Sequence, residues 1–506
     1  MKLAILHHHL NPGGVTRVVE NHLRALAAAA PQLELERVLL VHGGRAQGWP
    51  ATELDQIVPL PIDLCVVEGL DYALTGGPAD DALAGRLANA LLAAGATPDE
   101  TILHWHNHAL GKNAATPLAV ARLAGDGYRL LLQIHDFAED FRPANYRYLS
   151  EKLAEPRGRP LSDLLYPQGE GIHYAVLNGR DRQILRNAGM LSSRLHFLPN
   201  PVVAPGAGGA KPQAARAQAS RALVVYPVRG IRRKNLGEML LWSAAVEGAD
   251  FLVTLPPKNP QERASFDRWA SASDDLGLPC RWGAPRQVEF EQTLAASDAL
   301  LTTSVAEGFG MIFLEGWLAG RSLVGRDLPE ITADFKQRGI DLESLYQELA
   351  VPSDWVDRAT FQRELADLAT TVYVAFGAAP LDADAIDAEV ENMLADGTID
   401  FARLTASQQL SVVRRAAGSQ AARDEVRQLN PLLRLPSDDR SAQIARNASA
   451  ATEHFSLDAI SSSLVRAYQA LLADQPSGQT EPLPRGEAIL DAFLGIDRLH
   501  AIRVEP

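Results

Sequence analysis

Short apolar runs alternating with long helical patterns recur along this chain, and that rhythm excludes most folds. "KLAIL" (2–6), "RVLLVH" (37–42), "TILHW" (101–105), "RLLLQIH" (129–135) and "HYAVL" (173–177) read as buried strands. Helical stretches such as "GVTRVVENHLRALAAAA" and "PLAVARLAG" lie between several of them. Strand, helix and strand in succession make βαβ units, and a series of these makes a parallel sheet covered by helices. The rhythm stops at "PNPVVAPGAGGAKPQAARAQAS" (199–220), which is rich in Pro, Gly and Ala and reads as a linker. It restarts with "ALVVYPV" (222–228), "FLVTL" (251–255), "ALLTT" (299–303) and "SLVG" (322–325). Two Rossmann-like α/β domains are therefore predicted, the first over 1–204 and the linker over 205–220. Ligands of such sheets sit beyond the carboxyl ends of the strands, and a cleft between the domains is the expected place for them.

Residues 335–450 break the pattern. "LESLYQELA", "FQRELADLATTVYVAF" and "TASQQLSVVRRAAGSQAARDEVRQL" look helical, so this stretch is predicted to be a helical elaboration of a second domain spanning 221–453. "HFSLDAISSSLVRAYQALLA" (454–473) predicts an amphipathic helix capped by Ser456, followed to residue 506 by a loop and a short apolar helix. At 506 residues the chain exceeds what one core normally supports. A net charge of -14 argues against a nucleic-acid partner. The two cysteines, Cys65 and Cys280, give no disulfide framework and suggest a reducing, cytoplasmic setting. No apolar run approaches the ~18–20 residues of a membrane span, and "MKLAILHHHL" does not read as a signal peptide, so membrane association is not expected. His7, His8 and His9 sit inside a strand-like opening and are read as native.

Three stretches carry candidate chemistry. In "AILHHHLNPGGVTRVVENHL" a strand runs through Gly13 and Gly14 into a helix. Glycines let the backbone approach a ligand, and unpaired amides at a helix start favour anions; a plain tight turn fits as well. In "VVYPVRGIRRKNLGEM" a strand ends at Arg229, with Arg232, Arg233 and Lys234 following. A diphosphate needs a guanidinium to chelate its oxygens and an ammonium to neutralise them, although a solvated basic turn has the same composition. In "ALLTTSVAEGFGMIFLEGWLAG" a strand leads through Glu307, Gly308, Phe309 and Gly310 into a predicted helix containing Glu315. Bare amides at 308–310 would suit a phosphate. Two carboxylates would suit sugar diols, because a carboxylate offers two acceptor oxygens and no competing donor.

"EGFGMIFLE" resembles the Glu-x7-Glu motif of retaining, nucleotide-sugar-dependent glycosyltransferases of the GT-B fold, of the family 4 kind. "RGIRRK" (229–234) is similar to that group's donor-phosphate element, "GRDLPEI" (325–331) to its Pro-Glu-Ile stretch, and "GGVTRVV" to its amino-terminal glycine loop. "HYAVLNGRDRQIL…LHFLPNPV" resembles the close of its first domain, and the 454–473 helix resembles the one that crosses back to that domain. Residues 335–450 are roughly twice as long as the resemblance leads one to expect. The resemblance implies a hexosyltransferase. Arg229 and Lys234 would hold the donor diphosphate and Glu307 the transferred sugar. Glu315 would hold the ribose, while Gly13, Gly14 and 308–310 line the donor. It implies same-face attack without a carboxylate nucleophile, and no metal or other cofactor beyond the nucleotide diphosphate sugar.

On the acceptor side the resemblance places His135 beside the reacting carbon, with Asp136 next to it. "HWHNHALGKN" (104–113) ends another strand; His104, His106 and His108 share a face if that strand continues, which makes a metal site conceivable though not favoured. His106, Lys112 and Asn113 are further acceptor candidates, Lys112 and Asn113 for an anionic acceptor, although a solvated loop is the better account of those two. The expected acceptor is small, soluble and hydroxylated, and a homo-oligomer is compatible with the sequence. Two other functions fit the same fold: a sugar phosphorylase, and a catalytically inactive carbohydrate-binding protein.

Overall fold

The computed structural model describes residues 1–204, 221–284, 290–436 and 439–504. The predicted linker at 205–220 lies outside the described residues. The chain divides into two compact units. One comprises 1–201, 375–377 and 453–495, and the other 202–374, 378–452 and 496–506.

The first unit is built on a seven-stranded parallel sheet. Its strands are β1 (Lys2–Leu6), β2 (Arg37–His42), β3 (Ile62–Val66), β4 (Thr101–His106), β5 (Arg129–Ile134), β6 (Ile172–Val176) and β7 (Leu195–Phe197). They run in the order β3-β2-β1-β4-β5-β6-β7. Side chains alternate across the sheet, so β1 serves two cores at once. Leu3 and Ile5 join Leu23 and Leu26 of the helix Gly14–Ala29 and Leu464, Tyr468 and Leu471 of the helix Leu457–Ala473. Ala4 and Leu6 face the other core, with Trp105 and Leu132. Ser456 does cap the later helix, accepting from the Ala459 amide.

The second unit holds a six-stranded parallel sheet of β8 (Ala222–Arg229), β9 (Ala249–Leu255), β10 (Cys280–Trp282), β11 (Ala299–Thr302), β12 (Ser322–Arg326) and β13 (Leu345–Tyr346), ordered β10-β9-β8-β11-β12-β13. A small antiparallel pair, β14 (Ala350–Pro352) with β15 (Thr398–Asp400), lies in the elaboration. A buried ionic knot ties the elaboration to the sheet. Arg326, at the end of β12, meets Glu238 at 2.7 Å and Asp400 at 2.7 Å, and Tyr346 donates to Glu238.

Two sequence expectations need correction. "LESLYQELA" is not a helix: Leu345 and Tyr346 form the last strand of the second sheet. The stretch 335–450 is mostly helical but contains three strands. Residues 496–506 belong to the second unit, and 375–377 to the first. Both cysteines are free, and no helix among the described residues is long and apolar enough to cross a membrane.

Candidate functional site

In each sheet the strand order reverses direction once, between β1 and β4 and between β8 and β11. The loops leaving the carboxyl ends of those strands flank a crevice, which is where open α/β sheets bind ligands. The sequence candidates fall largely on these loops, so each unit carries its own candidate site.

In the second unit the loop after β8 and the loop after β11 are stitched together. The Tyr226 hydroxyl donates to the Lys234 carbonyl at 3.0 Å and meets Ser304 Oγ at 2.9 Å. Thr303 donates to the same carbonyl at 2.8 Å, and the Val305 amide donates to the Arg233 carbonyl at 3.0 Å. Asn235 closes the turn at φ 47°, a left-handed conformation that asparagine tolerates better than most residues. These ties bring Lys234 Nζ onto Glu307 Oε1 and Arg233 Nη1 to 3.3 Å from Glu307 Oε2. Glu307 is only 6% exposed. Burial alone would raise its pKa, but the charges of Lys234 and Arg233 outweigh that and hold it at about 2. The carboxylate is therefore ionised throughout the physiological range, and it holds Lys234 in place.

The other cations of the cluster differ. Arg232 pairs with Glu262. Arg229, half-buried at the end of β8, has no ion pair or side-chain hydrogen bond among the described residues. A guanidinium so placed is available to an incoming anion.

The glycine turn differs from expectation. The helix begins at Ile312, with Met311 as its cap, so 308–310 precede the helix by a residue rather than opening it. Gly310 has φ +82° and a side chain there would meet the Phe313 ring. Phe309 is 4% exposed and packs edge-on against Phe335, ring centroids 5.3 Å apart. Its side chain anchors the turn and leaves only backbone for a ligand. Glu315 is half-buried on the short helix Ile312–Leu318.

In the first unit, His135 follows β5 directly. Its amide donates to Asn107 Oδ1 at 2.7 Å, and its Nε2 lies 2.8 Å from His106 Nδ1. Burial lowers its pKa to about 4, so the ring is neutral near pH 7. Asp136 pairs with Arg142 at 2.5 Å. Asn107, absent from the sequence candidates, sits at φ 56° and ends β4. That left-handed turn sends His108 away from His104 and His106, to Leu165 O at 2.8 Å, so the three do not share a face. A different trio, His22, His104 and His106, brings one ring nitrogen from each within 4.8 Å of the others. Nitrogen donors suit a transition metal. However, both nitrogens of His104 are already engaged, by Tyr468 and Gln133, and the His104 and His106 rings stack at 4.4 Å.

Two further acceptor candidates sit among scaffold contacts. His106 is 0% exposed and lies behind His135. Asn113 donates to the carbonyls of Gly69 and Asp71 and accepts from the Ala115 amide, so its side chain ties two loops together. Lys112 remains half-buried with only a 3.5 Å approach to Asn145 Oδ1. Gly13 and Gly14 are exposed at the start of the helix Gly14–Ala29.

No family model matches the chain. A mannosylglucosyl-3-phosphoglycerate synthase from Petrotoga mobilis is 27% identical over 369 residues, which is 66% of this chain and 66% of that protein. Among solved structures, Anabaena HepE in complex with UDP and glucose superposes with a TM-score of 0.52 at 13% identity, covering 93% of this chain and 99% of HepE. Sucrose-phosphate synthase from Thermosynechococcus elongatus gives 0.51 at 15% identity, over 93% of this chain and 99% of its own. At such identities these likenesses speak for the fold, and with the two parallel-sheet units they establish it as GT-B.

Proposed function

We propose that this chain is a retaining glycosyltransferase of the family 4 kind, moving a hexose from a nucleotide diphosphate sugar to a small, soluble, hydroxylated acceptor in the cytoplasm. The observation that carries this reading is the cluster at the β8–β11 reversal: Arg229, with no ion pair among the described residues, on the loop that leads to Lys234 and Arg233, which are already oriented on ionised Glu307. In this mechanism the diphosphate binds against Arg229 and Lys234. The bond between the anomeric carbon and the bridging oxygen breaks, and the electron pair leaves with the diphosphate, whose growing charge those cations stabilise. The acceptor hydroxyl attacks from the face the diphosphate leaves and gives its proton to the departing phosphate. Each oxygen of Glu307 has a second lone pair, so the carboxylate accepts sugar hydroxyls without releasing Lys234. Glu315 takes the ribose diol. Neutral, buried His135 supplies a hydrogen bond to the transferred sugar.

The Petrotoga relative is named for a product bearing phosphoglycerate, so acidic hydroxylated acceptors are the class to test first. The test is a screen of nucleotide sugars for nucleoside diphosphate release, with and without candidate polyols, sugars and hydroxy acids. Release in the presence of at least one pair supports the proposal, and Lys234→Ala should slow that turnover by ~10²-fold or more. Absence of both release and thermal stabilisation by any common nucleotide sugar or nucleoside diphosphate would overturn it.

A further inference from the structure

The loops after β3 and β4 form a second charged site in the first unit. Ala73 N donates to Lys112 O at 2.8 Å, and Asn113 holds the carbonyls of Gly69 and Asp71. This stitching sets Tyr72 under two cations: Lys112 Nζ lies 5.7 Å and Arg45 Cζ 5.3 Å from its ring centroid. His9 meets the same ring edge-on at 5.1 Å. Arg45 is paired with Asp71 and Arg142 with Asp136. Lys112 alone of the three cations has no carboxylate partner among the described residues, and its approach to Asn145 is at the limit of a hydrogen bond.

Such a lysine is costly. Burial lowers its pKa, and the nearby Arg142 lowers it further. An amine placed half out of water beside a like charge, with Asp136 near but paired to Arg142 and no carboxylate in ion-pair range among the described residues, is the reverse of what packing alone selects. An anion would satisfy it. Lys112 also neighbours Asp136, which follows His135, so the site adjoins the end of β5. Two ion pairs, one bare ammonium and His9 leave the patch net positive in a chain carrying -14 overall.

We propose that Lys112, with Tyr72 and flanked by Arg45 and Arg142, binds the carboxylate or phosphate of an acidic acceptor and so selects acidic over neutral acceptors. This rests on the glycosyltransferase reading for the word acceptor, but the anion site itself does not depend on it. Tyr72, 42% exposed, offers apolar surface for the rest of the molecule.

Calorimetric titration of the full chain tests it, with 3-phosphoglycerate, D-glycerate, inorganic phosphate and neutral glycerol as probes, and a nucleoside diphosphate titrated separately. Saturable binding of 3-phosphoglycerate and none of glycerol is expected, with salt weakening it. D-glycerate against inorganic phosphate then tells which anionic group is read. Lys112→Met should weaken binding at least about tenfold, the change that about 1.4 kcal/mol produces. Lys112→Arg should retain most of it, and Lys112→Met should leave nucleoside diphosphate affinity unchanged. The proposal is overturned if wild type binds none of the anions, or if Lys112→Met binds them as tightly as wild type. Loss of nucleoside diphosphate binding with anion binding intact would instead count against the glycosyltransferase reading alone.

Discussion

Glu307→Gln probes the cationic cluster of the second unit without changing side-chain size. Glu307 has an ordinary pKa of 4.5 and is held at about 2 in the fold. A difference of roughly 2.5 pH units corresponds to about 3 kcal/mol of folding free energy. The sign follows from the depressed value. The folded state binds fewer protons than the unfolded one between pH 4.5 and 2, so the contribution is present above pH 4.5 and is lost as pH falls toward 2. Near pH 3.5 about 2 kcal/mol of it should remain. The variant also leaves Lys234, 9% exposed, and Arg233 without their counter-charge, and breaking one side of a buried pair typically costs about 3–5 kcal/mol. Urea unfolding followed by tryptophan fluorescence suits the measurement. Trp242, Trp269, Trp282, Trp317 and Trp355 lie in the second unit, against Trp49 and Trp105 in the first. The expected result is a loss of about 3 kcal/mol at pH 7 that narrows by roughly 1 kcal/mol at pH 3.5. Equal stability at pH 7, or a gap that does not narrow on acidification, would refute the reasoning.

Other outcomes follow from the same geometry. Glu139 is buried against the Tyr166 hydroxyl, and burial raises its pKa to about 7. A carboxyl with a raised pKa destabilises the fold as pH climbs from 4.5 through 7, so Glu139→Gln should raise the melting temperature at pH 8 and much less at pH 5. Gly325 has φ +115°, and a side chain there would run into the Thr302 carbonyl. Gly325→Ala should therefore lower soluble yield and melting temperature sharply, whereas Gly320→Ala, strained in φ but open in space, should cost about 1 kcal/mol in urea unfolding. Glu315→Ala should raise the KM for the nucleotide sugar while leaving any phosphate-dependent sugar cleavage unaffected; unchanged KM would remove its assignment to the ribose.

The parallel sheets were legible because fully buried strands leave continuous apolar runs that no surface element imitates. Elements that do not share that burial were not. β3 carries Asp63 and leaves Leu64 and Val66 exposed at the edge of the sheet, so its pattern has no buried run. β13 was disguised: Leu342, Leu345, Tyr346 and Leu349 are all buried at spacings that fit a helix, although the backbone there is a strand between turns. At the candidate sites, residue type announced Glu307 and Lys234, while their mutual pairing required the fold. The misplacement of His108 came from one residue. Asn107 turns left-handed and ends the alternation, and an asparagine between two histidines at a strand end is the only local hint of it. For Asn113 and His106 the sequence shows only polar residues near a strand end; that Asn113 ties two loops and that His106 is buried are products of the fold.

The account turns on diphosphate binding by the cations that follow β8. Titrating UDP and GDP into wild type and into the double variant Arg229→Ala, Lys234→Ala measures this directly. Two charged hydrogen bonds are worth roughly 3–6 kcal/mol together, so wild type should saturate with at least one of the nucleotides and the double variant should bind it about 100-fold more weakly or worse. A double variant that keeps wild-type affinity would contradict the account.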